Sequence, residues 1–138
     1  MEHNEKLILA TIVPESERLH FLPRHFGRLM LEVEQRTYSW LSTLCEDYEG
    51  GYWNMVRLDN DGAYLAPTSA EHFRIAVQSN DFVGTLSADA AGITVTLFAL
   101  SALAFEYPKF EVLSTRFHQL RDFASQHAEL RLIFQAID

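Results

Sequence analysis

Cysteine is nearly absent from this chain of 138 residues, in which it occurs once, at Cys45. A single thiol cannot form an internal disulfide, and it cannot supply a cysteine-rich zinc site. The N-terminal segment carries acidic residues before a short apolar run, and no small-residue cleavage site follows a basic start. This is not the pattern of a secretory leader, so we expect a cytoplasmic protein.

Motifs that carry catalysis or bind cofactors are also missing. No two histidines stand at positions i and i+4, no HExxH or GxSxG sequence occurs, and the glycines form no phosphate-binding loop. We therefore expect no metal, no cofactor and no enzymatic activity. One alternative stays open, a small hydrolase-like site in which His25 meets nearby acids. The acids that could converge in space are Glu46, Asp47, Glu49 and Asp89.

Basic residues are scarce, because 11 Lys and Arg stand against 19 Asp and Glu, for a net charge of −8. This balance argues against direct nucleic-acid binding, which requires a basic surface. It raises the question of DNA mimicry instead. Duplex DNA as long as such a domain, about 35–40 Å, carries on the order of 20 charges. Acids and bases alternate from Glu15 to Glu129, so the sequence offers a local acidic patch, and a DNA-mimic inhibitor is kept only as an alternative.

Against these absences stands one long apolar run, from Ser87 to Phe105, whose only charged residue is Asp89. A helix that is apolar on nearly every side has to be buried on nearly every side. Ser87 is a good N-cap, the helix dipole favours Asp89 in the first turn, and Pro108 ends the helix. The run approaches the length of a membrane span, about 20 residues. Polar residues interrupt it, however, and we predict a central core helix over about residues 87–107.

The remaining segments predict an α+β fold in a single domain over residues 1–138. A strand or buried arm is expected over residues 7–13. A meander of three to four antiparallel strands is expected over residues 52–86, with a hairpin turn at 59–62 and a candidate bulge at Gly84. Helices are expected from Pro14 to about Phe21, from about Glu34 to Tyr48 with Cys45 buried within it, after Pro108, and near the C-terminus.

Two stretches contain candidate partner contacts. Arg24 and His25 lie in a predicted turn over residues 22–27, and turns with defined backbone breakers often carry binding groups. The second stretch combines acidic residues with two large aromatic residues beside Gly50 and Gly51. Tyr and Trp can anchor a partner, and they can equally pack in a core. The candidate contacts of this second stretch are Glu46, Asp47, Glu49, Tyr52 and Trp53.

Five segments, taken in order, resemble the ArdB/KlcA family of antirestriction proteins. They are LPRHFG at residues 22–27, EDY leading into GGYW at 46–53, GAYLAP at 62–67, SADAAG at 87–92 and FHQLRDF at 117–123. The resemblance runs from about residue 13 to the end of the chain. The N-terminal dozen residues and the segment 68–73 depart from it, which leaves the details of partner choice open.

The resemblance implies a small α+β protein of mobile genetic elements that is not an enzyme and uses no cofactor. Such proteins protect incoming DNA from the host's type I restriction enzymes while sparing methylation. The resemblance supplies no catalytic or contact residue for this chain. We therefore expect a protein, favoured as a monomer, that inhibits cleavage by a host type I restriction–modification enzyme through protein contacts, directly or through a host partner.

Overall fold

The computed structural model describes residues 6–138; the first five residues, on which the predicted absence of a leader partly rests, lie outside the described residues. The described chain mixes helices with antiparallel strands, which confirms the predicted α+β class. The strands are β1 (Ala10–Ile12), β2 (Trp53–Leu58), β3 (Ala63–Pro67), β4 (His72–Val77) and β5 (Phe82–Ser87). The helices are α1 (Arg18–Phe26), α2 (Met30–Leu44), α3 (Ala88–Glu106), α4 (Glu111–Ala124) and α5 (Leu130–Ile137).

The strands form two antiparallel sheets, whereas the sequence predicted one meander. β1, β2 and β3 make the first sheet, in which Met55 lies opposite Leu65, and β4 and β5 pair as a separate hairpin. The predicted turn at residues 59–62 joins β2 to β3 as expected. Ile75 lies opposite Gly84 within an unbroken ladder, so the predicted bulge at Gly84 is wrong. The second hairpin does not pair with β3 because helix α3 lies against that edge.

Helix α3 is the central core helix that the sequence predicts. The Ser87 hydroxyl caps it by accepting a hydrogen bond from the Ala90 amide at 3.1 Å. Most residues from Ala90 to Leu103 are buried, and the helix packs on α2, α4 and β3. By length and composition alone α3 could cross a membrane. Its burial among these elements explains the apolar run as a core helix instead.

Two residues of α3, one helical turn apart, fix its position against the edge of β3. The Leu65 amide, which has no strand on that side, donates a hydrogen bond to the Thr96 hydroxyl at 3.2 Å. A Cβ atom at Gly92 would lie only 2.4 Å from the Leu65 carbonyl oxygen. Glycine is therefore required at this position, since the helix approaches the strand backbone closely. The helix both covers the strand edge and satisfies one of its buried donors.

The predicted turn over residues 22–27 is wrong, because α1 runs through Pro23 to Phe26. Proline lacks an amide hydrogen and costs the helix one hydrogen bond. The burial of Phe21, Leu22 and Phe26 outweighs that loss, and the Gly27 amide closes the last turn on the Pro23 carbonyl. The basic residues predicted in a turn are therefore held on a helix.

Helix α2 begins and ends four residues before its predicted bounds of Glu34 and Tyr48. Its last turn closes where the Cys45 amide donates to the Leu41 carbonyl at 2.8 Å, so Cys45 is buried just after the helix and not within it. Tyr48 continues the apolar spacing of α2 although it lies in the turn after the helix, because its ring packs against Trp53 and Phe73. The helix therefore ends well before Gly50, which was predicted to stop it.

Candidate functional site

The candidate contact residues separate into two regions of the surface. Glu46, Asp47 and Glu49 lie on the turn between α2 and β2, whereas Arg24 and His25 lie at the end of α1. We call residues 45–51 the acidic turn. We call the cavity that Arg24 and His25 line the α1 cavity.

The acidic turn presents three exposed carboxylates from a defined backbone. The Tyr48 amide donates to the Cys45 carbonyl at 3.1 Å, which places Glu46 and Asp47 at the two central positions of a β-turn. Gly50 and Gly51 follow with φ angles of 101° and 136°, which residues with a side chain rarely adopt. The chain thus reverses sharply here and leaves the carboxylates in solvent.

Trp53 and Tyr52 have different environments although they are adjacent in sequence. Trp53 is 3% exposed, and its indole N–H donates to the Tyr48 hydroxyl at 2.8 Å. Its ring also lies 4.9 Å from that of Tyr38, between centroids. Tyr52 is 56% exposed, and the Arg18 guanidinium lies 4.7 Å from its ring centroid. Trp53 therefore supports the acidic turn from below, and Tyr52 is the aromatic residue that solvent reaches.

The acidic turn borders two shallow cavities that it shares with β4. One, of about 460 Å³, lies between Trp40, the acids Glu46 and Asp47, and Arg74. The other, of about 450 Å³, has Asp47, Glu49, His72 and Arg74 in its wall. The acidic surface therefore continues onto the exposed face of β4, where Arg74 carries a positive charge, and it includes recesses into which side chains of a partner can fit.

The α1 cavity has a volume of about 440 Å³ and lies between α1 and the β2–β3 turn. His25 is 7% exposed, and its Nδ1–H donates to the Phe21 carbonyl at 3.0 Å. Burial lowers the pKa of His25, the bond to Phe21 opposes this, and the positive charges of Arg116 and Arg24 lower the pKa further. The imidazole is therefore neutral near pH 7.

Neither Asp89 nor Glu46 lines this cavity, so the hydrolase-like grouping of His25 with those acids is not assembled.

A polar cluster that the sequence did not reveal lies at the start of α3. Asp89 accepts hydrogen bonds from the Tyr64 hydroxyl at 2.6 Å and from His127 Nε2 at 2.8 Å. Burial raises the pKa of Asp89, but these two hydrogen bonds outweigh it and leave the pKa below its ordinary value of 3.8. Asp89 was predicted as a first-turn carboxylate and as one of the acids that could converge near His25, but nothing in the sequence relates it to His127, 38 residues away.

The Asp89–His127 pair connects the start of α3 to the segment before α5. We call Asp89, His127, Glu129 and Ser87 together the clamp. His127 Nδ1 accepts a hydrogen bond from the Glu129 amide at 3.0 Å. The ring proton therefore lies on Nε2, which donates a hydrogen bond to Asp89. The Glu129 carboxylate in turn accepts from the Ser87 amide at 2.9 Å and from its hydroxyl. Both imidazole nitrogens are occupied, which leaves neither to accept a proton from a nucleophile as a triad requires. The clamp ties the start of α3 to the segment before α5.

Across residues 6–138, no group of three or more His, Cys, Asp or Glu side chains is arranged to hold a metal ion. The acidic turn is likewise an exposed set of carboxylates around no common centre. The charged, aromatic and hydrogen-bonding groups of these surfaces are of the kinds that recognise a partner.

Comparisons with known proteins agree on one family. The model of the antirestriction protein family matches residues 46–138. The antirestriction protein KlcA of Escherichia coli is 47% identical over the whole of both chains. The putative antirestriction protein YubI of Escherichia coli K12 is 33% identical, over 91% of this chain and 93% of its own.

One solved structure covers 100% of both chains with a TM-score of 0.90 and 46% sequence identity. It comes from work on the KlcA and ArdB proteins, described as having a novel fold and antirestriction activity against type I DNA restriction systems in vivo but not in vitro. The fold and the sequence thus point to the same relatives. The chain belongs to the ArdB/KlcA family of antirestriction proteins.

Proposed function

We propose that this protein protects incoming DNA by inhibiting cleavage by host type I restriction enzymes while it spares methylation. The observation that carries the proposal is the similarity over the full chain, at 46% identity and a TM-score of 0.90, to proteins with antirestriction activity against type I systems in vivo. The protein acts as an inhibitor and not as an enzyme. Because restriction of incoming DNA takes place inside the host cell, the proposal puts its action in the cytoplasm.

The inhibition operates through protein contacts made by the acidic turn and Tyr52. These residues are exposed, their backbone is defined by a β-turn, and buried aromatic residues support them. A partner with a basic surface would meet complementary charge there, which speeds association and aligns the two proteins. Since the related proteins act in vivo but not in vitro, the contact is made in the cell with the restriction enzyme or with a host protein that acts on it.

The acidic surface supports DNA mimicry less well than it supports inhibition through protein contacts. A mimic must present phosphate-like charge along its length, about one charge per 1.7 Å. Several carboxylates of this protein are instead engaged by its own side chains or backbone. Those carboxylates are Glu17 with Arg57, Glu106 with Arg36, Asp89 with His127, and Glu129 with Ser87. What remains at the acidic turn is a local patch.

The experiment is done in living cells. Unmodified phage is plated on a host with a type I system, with and without expression of this protein, and methylation of the progeny is scored in parallel. We expect restriction to fall while methylation stays intact. Loss of both activities would indicate a DNA mimic, and unchanged restriction by several type I systems would overturn the proposal.

The contact surface is tested by removing its charge. The triple variant Glu46→Gln, Asp47→Asn, Glu49→Gln is compared with Glu15→Gln, Glu32→Gln, Asp122→Asn, which changes the net charge equally at exposed positions elsewhere. We expect protection to fall about tenfold in the first variant, which corresponds to about 1.4 kcal/mol of contact energy, and to stay within about twofold in the second. Circular dichroism confirms that both variants fold. Equal protection by both would place the contact elsewhere.

A further inference from the structure

The α1 cavity lies apart from the proposed contact surface. Of the two arginines that line it, one is ion-paired and the other is not, within the part of the chain that the structure describes. Glu17 and Arg57 form an ion pair at 2.7 Å on its wall. The charge of Asp61 supports Arg116, which lies behind the cavity and whose pKa burial lowers. Arg24 also lines the cavity, and within the described residues its guanidinium has no ion pair or hydrogen bond. One cation on the cavity wall is therefore available for an anion.

His25 supplies a hydrogen-bond acceptor to the same cavity. Its Nδ1–H is committed to the Phe21 carbonyl, so the neutral ring keeps an unprotonated Nε2. No hydrogen bond to Nε2 occurs in the part of the chain that the structure describes, and no described buried side-chain nitrogen or oxygen there lacks a partner. Both facts hold only if solvent reaches Nε2, and His25 lines the α1 cavity. The floor thus offers an acceptor to an N–H or O–H of a bound molecule.

Arg116 holds the two walls of the cavity at a fixed separation. Its Nε donates to the His25 carbonyl at 2.6 Å and its Nη1 to the Asp61 carbonyl at 2.9 Å. The first carbonyl belongs to α1 and the second to the β2–β3 turn. Asp61 itself has a φ of 73°, a conformation that the turn imposes. The cavity is therefore braced by a third element, α4, and is formed before any ligand arrives.

We propose that the α1 cavity binds a monocarboxylate that carries a hydrogen-bond donor on an apolar body, such as an N-acylated amino acid or the C-terminal residue of a peptide. The carboxylate pairs with Arg24, the donor meets His25 Nε2, and the apolar body packs on Val13, Phe21 and Leu58. Arg24 is the one arginine of the cavity wall without an ion pair among the described residues, which matches a single negative charge better than a phosphate dianion.

The probe is N-acetyl-L-leucine, titrated into the full-length protein and followed by the backbone amide signals of α1 and of residues 57–62. Two related compounds each remove one group: N-acetyl-L-leucinamide lacks the carboxylate, and 4-methylpentanoate lacks the donor. We expect saturable shifts with the first, an affinity at least about tenfold lower for the amide and about fivefold lower for 4-methylpentanoate, because a hydrogen bond to a charged group contributes more than one between neutral groups.

The matched variants are Arg24→Gln and Arg28→Gln. Arg28 is exposed, lies four residues further on and does not line the cavity. We expect Arg24→Gln to weaken binding about tenfold and Arg28→Gln to leave it within about twofold. Equal affinity in the two variants, equal affinity for the amide and the acid, or no shift at concentrations on the order of 10 mM would overturn the proposal.

A final comparison distinguishes the two sources of the ligand. A pentapeptide ending in leucine is titrated beside its C-terminal amide. Binding by the free acid at least as tight as that of N-acetyl-L-leucine indicates the terminus of a protein, whereas binding of the single amino acid alone indicates a small metabolite. Both results support the chemistry proposed. The measurement uses purified protein, so it can fail while protection of phage DNA in cells persists, and the reverse.

Discussion

Two histidines, His127 and His25, each form a hydrogen bond between Nδ1 and the backbone, but the proton lies on opposite ring nitrogens. His127 accepts the Glu129 amide at Nδ1 and donates from Nε2 to Asp89. His25 donates from Nδ1 to the Phe21 carbonyl and leaves Nε2 at a cavity. The surroundings differ accordingly, with a carboxylate next to the first ring and the cations Arg116 and Arg24 near the second.

The difference separates a structural region from a recognition region. At the start of α3, every polar group of the clamp has a partner inside the protein, and the helix lies directly on the backbone of β3. At the end of α1, an acceptor and a cation meet at a cavity of about 440 Å³ and lack such partners among the residues the structure describes. Substitutions near α3 should therefore lower stability, and those at the cavity or the acidic turn should lower binding.

The largest loss of stability is expected from Gly92→Ala. The new methyl group would lie 2.4 Å from the Leu65 carbonyl oxygen and 2.7 Å from the Ala66 Cα, both backbone atoms that cannot move aside cheaply. We expect the free energy of unfolding to fall by about 3 kcal/mol, the upper part of the range for overpacking. Chemical denaturation measures it, with Ser101→Ala on the exposed side of α3 as the control. Equal stability of the two variants would contradict the close approach of α3 to β3.

A smaller loss is expected from Thr96→Val, which keeps the shape but removes the acceptor of the buried Leu65 amide. An unsatisfied buried donor costs about 1–3 kcal/mol. Thr94→Val is the matched control, because within residues 6–138 the Thr94 hydroxyl bonds only to the Ala90 carbonyl of its own helix, at 2.8 Å. We expect the control to change stability by less than about 1 kcal/mol. If both variants lose the same amount in urea unfolding, Thr96 does not serve the strand edge.

The smallest effect is expected from Asp89→Asn, and it depends on pH. The side chain is 47% exposed, so water screens the pair and the loss at neutral pH is about 1–2 kcal/mol. Because folding lowers the pKa of Asp89, its contribution is complete above the ordinary value of 3.8 and disappears as pH falls through the folded pKa. The stability difference between wild type and variant, measured by denaturation between about pH 6 and pH 2, should therefore shrink below about pH 4. A difference independent of pH would show that the ionised carboxylate contributes nothing.

The sequence predicted those elements whose structure depends on their own residues. The apolar run of α3 with its Ser87 cap, the β2–β3 hairpin and the alternation of Phe73, Ile75 and Val77 in β4 were all confirmed. The errors arose where tertiary packing outweighs a local signal. Pro23 stays inside α1 because both flanks are buried, and α3 covers the strand edge that a single meander would have used.

The candidate site was predictable only in part, for the same reason. Exposed acids beside paired glycines indicated the acidic turn, whereas the burial of Trp53 depends on its hydrogen bond to Tyr48 and its packing against Tyr38. The meeting of Asp89 with His127 joins residues from distant segments, and no spacing in the sequence indicates it. The α1 cavity requires Arg116 of α4 to hold its walls, which is again a contact between distant segments.

The central claim is protection against type I restriction without loss of methylation. The most direct measurement plates one stock of unmodified phage on a type I host and scores restriction and progeny methylation with and without the protein. We expect plating efficiency to rise while methylation is unchanged, and we expect the acidic-turn triple variant to lose most of this rise. Restriction that is unaffected by the folded wild-type protein in several type I hosts would contradict the account.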